Sequence, residues 1–147
     1  MPPVAPAPAD PAANQAANSR AQAQAAQTNA EIANNNARGA RLAANANEEA
    51  ARRKSSYSRG QQRAAIGQAG IAYEGSALDV LGQSAANAEL DALNIRYRGD
   101  LDATNYLNQA GLYQAQKQGA LLSADNAEEA GLYGAATSLL GGAAKMT

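Results

Sequence analysis

Between residues 70 and 99 the apolar positions follow helical spacing, and this stretch holds most of the large apolar residues that precede Tyr106. From residue 76 onward, one face carries small and polar side chains, a second carries alanines with Leu81, and a third carries larger apolar side chains. The members of this third face are Leu78, Leu90, Leu93 and Tyr97. Because the apolar positions do not alternate as they would in a strand, they predict an α-helix that continues past Gly99.

The start of this helix is predicted by capping and turn residues. The Ser76 side chain can accept hydrogen bonds from backbone amides at the helix start. Three residues later, the Asp79 side chain can accept one from the backbone amide of Ser76, and together they form a capping-box pattern. Gly70 and Gly75 come just before it and can adopt turn dihedrals that other residues avoid. We therefore expect a loop over residues 70–75 and a helix that starts at Ser76.

The other regions are predicted from their composition. Residues 1–11 contain all five prolines and predict an extended arm. Residues 12–69 are rich in Ala, Asn, Gln and Arg, and they predict a helical region with few apolar side chains larger than Ala. Two further helical regions are expected, a central one over residues 76–125 and a C-terminal one, rich in small residues, over residues 126–147.

Alanine dominates the composition, since 40 of the 147 residues are Ala and there is no Phe or Trp. Alanine buries little apolar area, whereas ordering the chain costs about 1–2 kcal/mol per residue. The sequence therefore predicts an all-α, elongated fold of long helices with a thin core, stabilised by self-assembly or by a partner.

Charge is distributed unevenly. Residues 1–65 carry eight basic and four acidic side chains, a net +4, whereas residues 66–147 carry four basic and nine acidic ones, a net −5. The densest basic cluster comprises Arg52, Arg53, Lys54, Arg59 and Arg63. Such a cluster is a candidate for non-specific contact with DNA or for contact with anionic lipid. The alternative is a solvated helix surface whose cations form local salt bridges or lie near the negative end of the helix dipole.

Small residues recur at every fourth position in the last third of the chain. The row comprises Gly111, Ala115, Gly119, Ser123, Ala127 and Gly131. Rows of this kind let helices approach closely, so the row predicts a packing seam in a homo-oligomer. The alternative is that some of these glycines end helices.

The segment from Ala130 to Ala144 is uncharged, and its large side chains are Leu132, Tyr133, Leu139 and Leu140. As a helix it would cover about 22 Å, which is less than the ~30 Å hydrocarbon core of a bilayer. We therefore expect these four side chains to contact either a membrane, as part of an oligomer, or a protein neighbour.

The residue types that catalysis needs are scarce, because the sequence has no His and no Cys. The commonest general base, the commonest transition-metal ligand and any thiolate ligand are therefore missing from it. The glycine spacing from Gly70 to Ser76 resembles a phosphate loop but lacks the lysine that reaches phosphate. We expect a protein that is not an enzyme and that holds neither a metal nor a cofactor.

Three motifs between Arg63 and about Ala115 carry a family resemblance. They are the glycine loop that ends in Gly75-Ser76, the step Asp79-Val80-Leu81, and the run Glu89-Leu90-Asp91-Ala92-Leu93-Asn94-Ile95-Arg96-Tyr97. This part of the chain, about a third of it, resembles the internal virion proteins of short-tailed phages, which are the small inner-core or ejection proteins.

The resemblance implies a virion protein that lies inside the capsid or at the portal and tail, leaves with the genome and helps form a conduit through the host cell envelope. Its implied partners are further copies of itself in a ring, the portal, the other internal core proteins and the host membrane. Two alternatives stay open. One is a static tail or portal adaptor that never leaves the particle, and the other is a nucleic-acid-binding scaffold protein built on the basic N-terminal half.

Overall fold

The structure, a computed structural model, describes residues 10–70 and 75–144, with side chains described as far as residue 140. Within these ranges the chain forms two α-helices and no strand. They are α1 (Pro11–Gln68) and α2 (Ser76–Ala144). The prediction of an all-α fold is confirmed.

The first helix begins inside the predicted arm. The amide of Ala12 donates a hydrogen bond to the Asp10 carboxylate at 3.1 Å, and the amide of Asn14 donates to the Asp10 carbonyl at 3.1 Å. Asp10 therefore caps α1, and Pro11 takes the first helical position, where a missing amide hydrogen is no loss. The prediction of an extended arm as far as Pro11 is wrong at its last residue, and residues 1–9 of that arm lie outside the described residues.

The glycines before α2 adopt the turn dihedrals that the sequence predicts. The φ angles of Gly70 and Gly75 are 65° and 59°, which lie in the left-handed region that side chains with a Cβ avoid. The capping prediction is wrong by one residue. The amide of Asp79 donates to the carbonyl of Gly75 at 3.2 Å, so Gly75 is the capping position and Ser76 is the first residue of α2.

Two compact units divide the chain, and each is built from one segment of each helix. The terminal unit comprises residues 1–32 and 109–147, and the central unit comprises residues 33–108. In the terminal unit, Ala12 lies beside Gly131 and Ser19 lies beside Ser123. Along these contacts the residue numbers on α2 fall as those on α1 rise. The two segments of this unit are therefore antiparallel.

The central unit is also an antiparallel helix pair. Arg41 contacts Asp100, and further along α1 Arg52 contacts Glu89. As in the terminal unit, the two segments run in opposite directions along the contact.

The second helix continues through the boundary that the sequence predicts between residues 125 and 126. Ala124 and Ala127 lie on either side of this boundary, and both are buried in the terminal unit. The prediction of separate central and C-terminal helical regions is therefore wrong, because the packed face of α2 passes across the boundary without a change.

The core of the terminal unit consists of alanine and one serine. On α1 the inward positions are 12, 16, 19, 23, 26 and 30, which alternate steps of four and three as in a coiled coil. The buried side chains are Ala16, Ser19, Ala23, Ala26, Ala30, Ala110, Ala124 and Ala127. The helices of this unit thus meet through methyl groups and one hydroxyl-bearing side chain.

The core of the central unit has the same character, with one larger member. Its buried side chains are Ala33, Ala37, Ala44, Leu81, Ala92 and Ala103. Leu81 is the only apolar side chain larger than alanine that is buried in the described part of the chain. The prediction of a thin core is confirmed.

The regular spacing is interrupted on both helices at the same place in the central unit. On α2 the inward positions 92, 95, 99, 103 and 106 are separated by three, four, four and three residues. On α1 the positions 37, 40, 44, 48 and 51 follow the same steps. Two successive steps of four aim the middle residue straight at the facing helix, whereas regular alternation aims residues to either side. The two middle residues are Gly99 and Ala44.

Gly99 and Ala44 face each other at very short range. A Cβ atom built on Gly99 would lie 2.0 Å from the Cβ of Ala44, far inside the ~3.5 Å at which carbon atoms attract. Glycine at position 99 therefore permits the separation that the two helices have here.

Candidate interaction surfaces

The described residues contain no group of three or more His, Cys, Asp or Glu side chains that could hold a metal ion. Over the residues that the structure describes, neither helix is long and apolar enough to cross a membrane. Most of the site residues that the sequence predicts lie on exposed faces of the two units or in shallow clefts, whereas Ala127 is buried in the terminal unit.

Most large apolar side chains of the central unit point outward, because alanines and Leu81 occupy the contact between its helices. The sequence places Leu78, Leu90, Leu93 and Tyr97 on one face, and all four are exposed. Leu90, Leu93, Tyr97 and Leu101 are spaced by three, four and four residues, so they lie along one side of α2. We call these four residues the apolar stripe.

Among the large apolar side chains that the structure describes, the four near the C-terminus are the most exposed. Leu132, Tyr133, Leu139 and Leu140 are each between 72% and 76% exposed. Leu132 also lines a cleft of about 450 Å³ in the terminal unit, together with Arg20 and Glu128. Contact of these four side chains with a membrane or a protein neighbour stays a prediction.

The predicted small-residue row is partly exposed and partly packed within the chain. Gly111, Ala115 and Gly119 are exposed, and a Cβ atom on either glycine would meet no atom within 4 Å. A step of four residues exceeds the helical repeat of 3.6, so the row turns by about 40° at each step. Its first three members therefore face away from α1, where they are open to an oligomer contact.

The last three members of the row pack against α1 of the same chain. Ala127 is buried, a Cβ atom on Gly131 would lie 2.9 Å from the Cβ of Ala12, and the Ser19 hydroxyl donates to the Ser123 hydroxyl at 3.4 Å. The prediction of a single intermolecular seam is therefore corrected for Ser123, Ala127 and Gly131, whose neighbours are supplied by α1.

Within the basic cluster, Arg52 is fully engaged with acidic side chains. Its guanidinium donates to Glu48 at 2.9 Å and to Glu89 on the facing helix at 2.8 Å. The hydrogen bonds to Glu89 and then to Glu48 raise the pKa of Arg52 above its ordinary value. Arg53 donates to Glu49 at 3.4 Å, one turn earlier on α1. Here the interpretation as local salt bridges is confirmed for Arg52 and Arg53.

Lys54 lies on a different side of α1, in a groove of about 550 Å³ in the central unit. The facing wall of this groove carries Asp91, Asn94 and Arg98 from α2. The groove therefore mixes both signs of charge, which differs from the single-sign surface that a phosphate backbone favours.

Arg59 and Arg63 line a second cleft of the central unit, with a volume of about 500 Å³. Its opposite wall is formed by Leu78, Leu81, Gly82 and Ala85. The Nε atom of Arg59 is buried and has no hydrogen-bond partner among the described residues. The five cations of the basic cluster are thus divided among salt bridges, a mixed groove and a partly apolar cleft, and contact with DNA or lipid stays a prediction.

Sequence analysis missed the contacts that align the two helices. They are Gly99 with Ala44, Arg52 with Glu89, and Arg20 with Glu128. One signal for the packed face is present in the sequence, because an alanine recurs every seven residues along α1. These alanines are Ala16, Ala23, Ala30, Ala37 and Ala44.

The fold and surfaces define an antiparallel pair of helices in each unit, held through alanines and with its large apolar side chains outward. Comparison with protein-family models, with curated proteins and with solved structures finds no match to this chain.

Proposed function

We propose that this chain is a structural protein of a phage particle, in the internal core or ejection apparatus, which helps to form a conduit for the genome through the host cell envelope. It acts without a cofactor. Its partners are further copies of itself, the portal and the other internal core proteins, with the host membrane as a partner after ejection. Any contact with DNA is non-specific.

The observation that carries this proposal is the inverted placement of its apolar side chains. Alanines fill the contact between the helices, while Leu and Tyr side chains are exposed on the surface of both units. An exposed leucine gains about 1.5–3 kcal/mol when it is fully buried, so a surface of this composition favours assembly. A component of a multi-protein particle has neighbours that can cover such a surface.

The resemblance of residues 63–115 to internal virion proteins supplies the specific role. The stretch that carries the resemblance includes the apolar stripe, so the motif and the exposed surface coincide in the central unit. The engagement of Arg52 and Arg53 with glutamates weighs against a scaffold that binds nucleic acid through the basic cluster.

The test is the fate of the protein when particles release their DNA. We expect its amount, measured by quantitative mass spectrometry relative to the major capsid protein, to fall sharply in particles that have ejected their genome. The portal protein is measured in the same particles as a control, because a loss shared by both proteins would indicate damage to the particle.

Full retention in emptied particles would contradict the ejection role and leave the static tail or portal adaptor. If the protein is retained and the purified chain also binds DNA with an affinity that falls steeply as salt rises, the nucleic-acid-binding scaffold is favoured instead, since such a slope reports released counterions.

A further inference from the structure

The apolar stripe has almost the same spacing when it is read in either direction. Read from Leu90 the steps are three, four and four residues, and read from Leu101 they are four, four and three. The four side chains are between 46% and 63% exposed. An antiparallel copy of the same stripe would therefore place Leu90 opposite Leu101 and Leu93 opposite Tyr97. A twofold axis near residues 95 and 96 would repeat both contacts.

Charges beside the stripe fit the same arrangement. Asp91 and Arg98 are exposed, lie seven residues apart and line the same groove on one flank of the stripe. In an antiparallel pair, equal flanks of the two copies face each other, so Asp91 of one copy would lie near Arg98 of the other. The twofold symmetry would make this pair twice.

The opposite flank carries Glu89, Arg96 and Asp100. In such a pair Glu89 of one copy would approach Asp100 of the other, and Arg96 would lie near its own equivalent at the axis. Within each copy, Arg52 contacts Glu89, and the Nε atom of Arg41 lies 3.9 Å from Asp100. Each copy thus brings its own cation to each of these carboxylates, which reduces their mutual repulsion.

We propose that two copies of this chain pair through the apolar stripe, antiparallel and about a twofold axis between residues 95 and 96. This inference rests on the self-association that forms part of the proposed function, and it names the surface and the direction of that contact. A second copy fits because the stripe is complementary to itself in spacing and, on the Asp91 flank, in charge. Pairing would cover four large side chains on each copy that the alanine core leaves exposed.

The first test compares two charge insertions in the full chain by sedimentation velocity. We expect the wild-type chain to form a dimer or a larger even-numbered assembly. Leu101→Glu should weaken this association by at least about tenfold, because it places a carboxylate in the apolar contact. Leu42→Glu is the control, since Leu42 is exposed in the same unit on α1 and lies outside the stripe. It should leave the association unchanged.

The second test fixes the direction of the pair. Asp91→Arg and Arg98→Asp should each weaken the dimer, because each sets like charges opposite each other. The double variant should restore it, since the exchange regenerates both ion pairs. Equal weakening by the double variant would overturn the antiparallel arrangement.

Disulfide formation gives an independent reading, because the chain has no natural cysteine. A mixture of Leu90→Cys and Leu101→Cys chains should form mixed disulfide dimers. Neither variant alone should do so, because equal residues would be offset by about 16 Å along the helix and a disulfide needs Cα atoms within about 7 Å. Disulfide dimers of either variant alone, in place of the mixed ones, would indicate a parallel pair and overturn the proposal.

The outcome of these tests is separable from that of the particle experiment. A monomeric wild-type chain at about 100 µM, or equal weakening by Leu101→Glu and Leu42→Glu, would overturn the pairing without affecting the release result. Conversely, a chain retained in emptied particles could still form this dimer, and then only the ejection role would be wrong.

Discussion

The central and terminal units pack their helices in the same way, but the glycine that contacts the facing helix lies at a different place in each unit. Both hold two antiparallel helix segments together through alanines. In the central unit the glycine contact falls in the middle of the packed face, where Gly99 meets Ala44. In the terminal unit it falls near the start of α1, where Gly131 meets Ala12. The position of the glycine decides whether a helix can adjust when a methyl group is added.

The units also differ in the ion pairs that join their helices. In the central unit, Arg41 with Asp100 and Arg52 with Glu89 lie on either side of the Gly99 contact. In the terminal unit, Arg20 contacts Glu128. The closest approach in the central unit is thus flanked by polar contacts that hold the register of the two segments.

The largest effect is expected from Gly99→Ala in the central unit. The new methyl group would overlap the Cβ of Ala44, and overpacking of this kind costs about 1–3 kcal/mol. We expect a lower midpoint in urea denaturation followed by circular dichroism. Adding Ala44→Gly should recover part of the loss, because it removes the methyl group that the new one meets.

The matched control for this change is Gly111→Ala, which meets no atom within 4 Å. Alanine at an exposed helical position is more favourable than glycine by about 0.5–1 kcal/mol, so this variant should be more stable than wild type. A stabilising effect of Gly99→Ala as well would contradict the close contact at Ala44.

An intermediate effect is expected from Gly131→Ala in the terminal unit. Its Cβ atom would lie 2.9 Å from that of Ala12, which is the second residue of α1 and can shift with the helix end. The gain in helix propensity, about 1 kcal/mol, opposes the steric loss. We therefore expect a change in the free energy of unfolding within about 1 kcal/mol of zero. A loss as large as that of Gly99→Ala would mean that the end of the terminal unit is as rigid as the middle of the central one.

The smallest effect is expected from Arg52→Gln, which removes the contacts with Glu48 and Glu89. The side chains of Arg52 and Glu89 are 43% and 50% exposed, whereas that of Glu48 is 12% exposed. We therefore expect a small fall in the melting temperature, and about 1 M salt should remove most of the difference from wild type, because salt screens the exposed contact with Glu89. Arg53→Gln is the control, because the acidic partner of Arg53 among the described residues is Glu49 on its own helix. An equal, salt-sensitive loss in both variants would argue against a special role for the contact with Glu89.

The pH dependence of the Arg52 contacts follows from the direction of its pKa shift. The pKa of Arg52 is raised in the folded state. The contribution of its contacts to the free energy of unfolding is therefore fully present below the unfolded-state pKa, and it is lost only as the pH rises through the folded-state pKa. Both values lie far above neutrality. The effect of Arg52→Gln on the melting temperature should therefore be the same from about pH 6 to pH 9.

Local sequence features predict the helices of this protein better than they predict its contacts. Gly70 and Gly75 indicate the turn, and the scarcity of large side chains indicates the thin core, because both depend on residue type alone. The capping position and the end of the arm are each wrong by one residue. Ser76 and Pro11 are compatible with either position, and the neighbouring hydrogen bonds decide between them.

The small-residue row illustrates why the packed face was harder to predict. Spacing by four residues selects Gly111 and Gly119, whereas the packed face of α2 alternates steps of three and four and selects Ala110 and Ala124. Alanine is common at almost every position of this chain, so its presence on one face carries little information without the facing helix. Gly99 is recognisable as a contact only once Ala44 is seen opposite it.

The repeat of alanine along α1 has a consequence for the uniqueness of the fold. Because Ala16, Ala23, Ala30, Ala37 and Ala44 are seven residues apart, sliding one segment past the other by two turns would again set alanine against the same face. A slip by seven residues would set Ala37 or Ala51 opposite Gly99 in place of Ala44, so neither the methyl groups nor the glycine can distinguish these alternatives. The same slip would move Arg52 away from Glu89 and Arg20 away from Glu128 by about 10 Å along the helix, so this protein, which lacks bulky interlocking side chains, distinguishes its native alignment by its charged contacts.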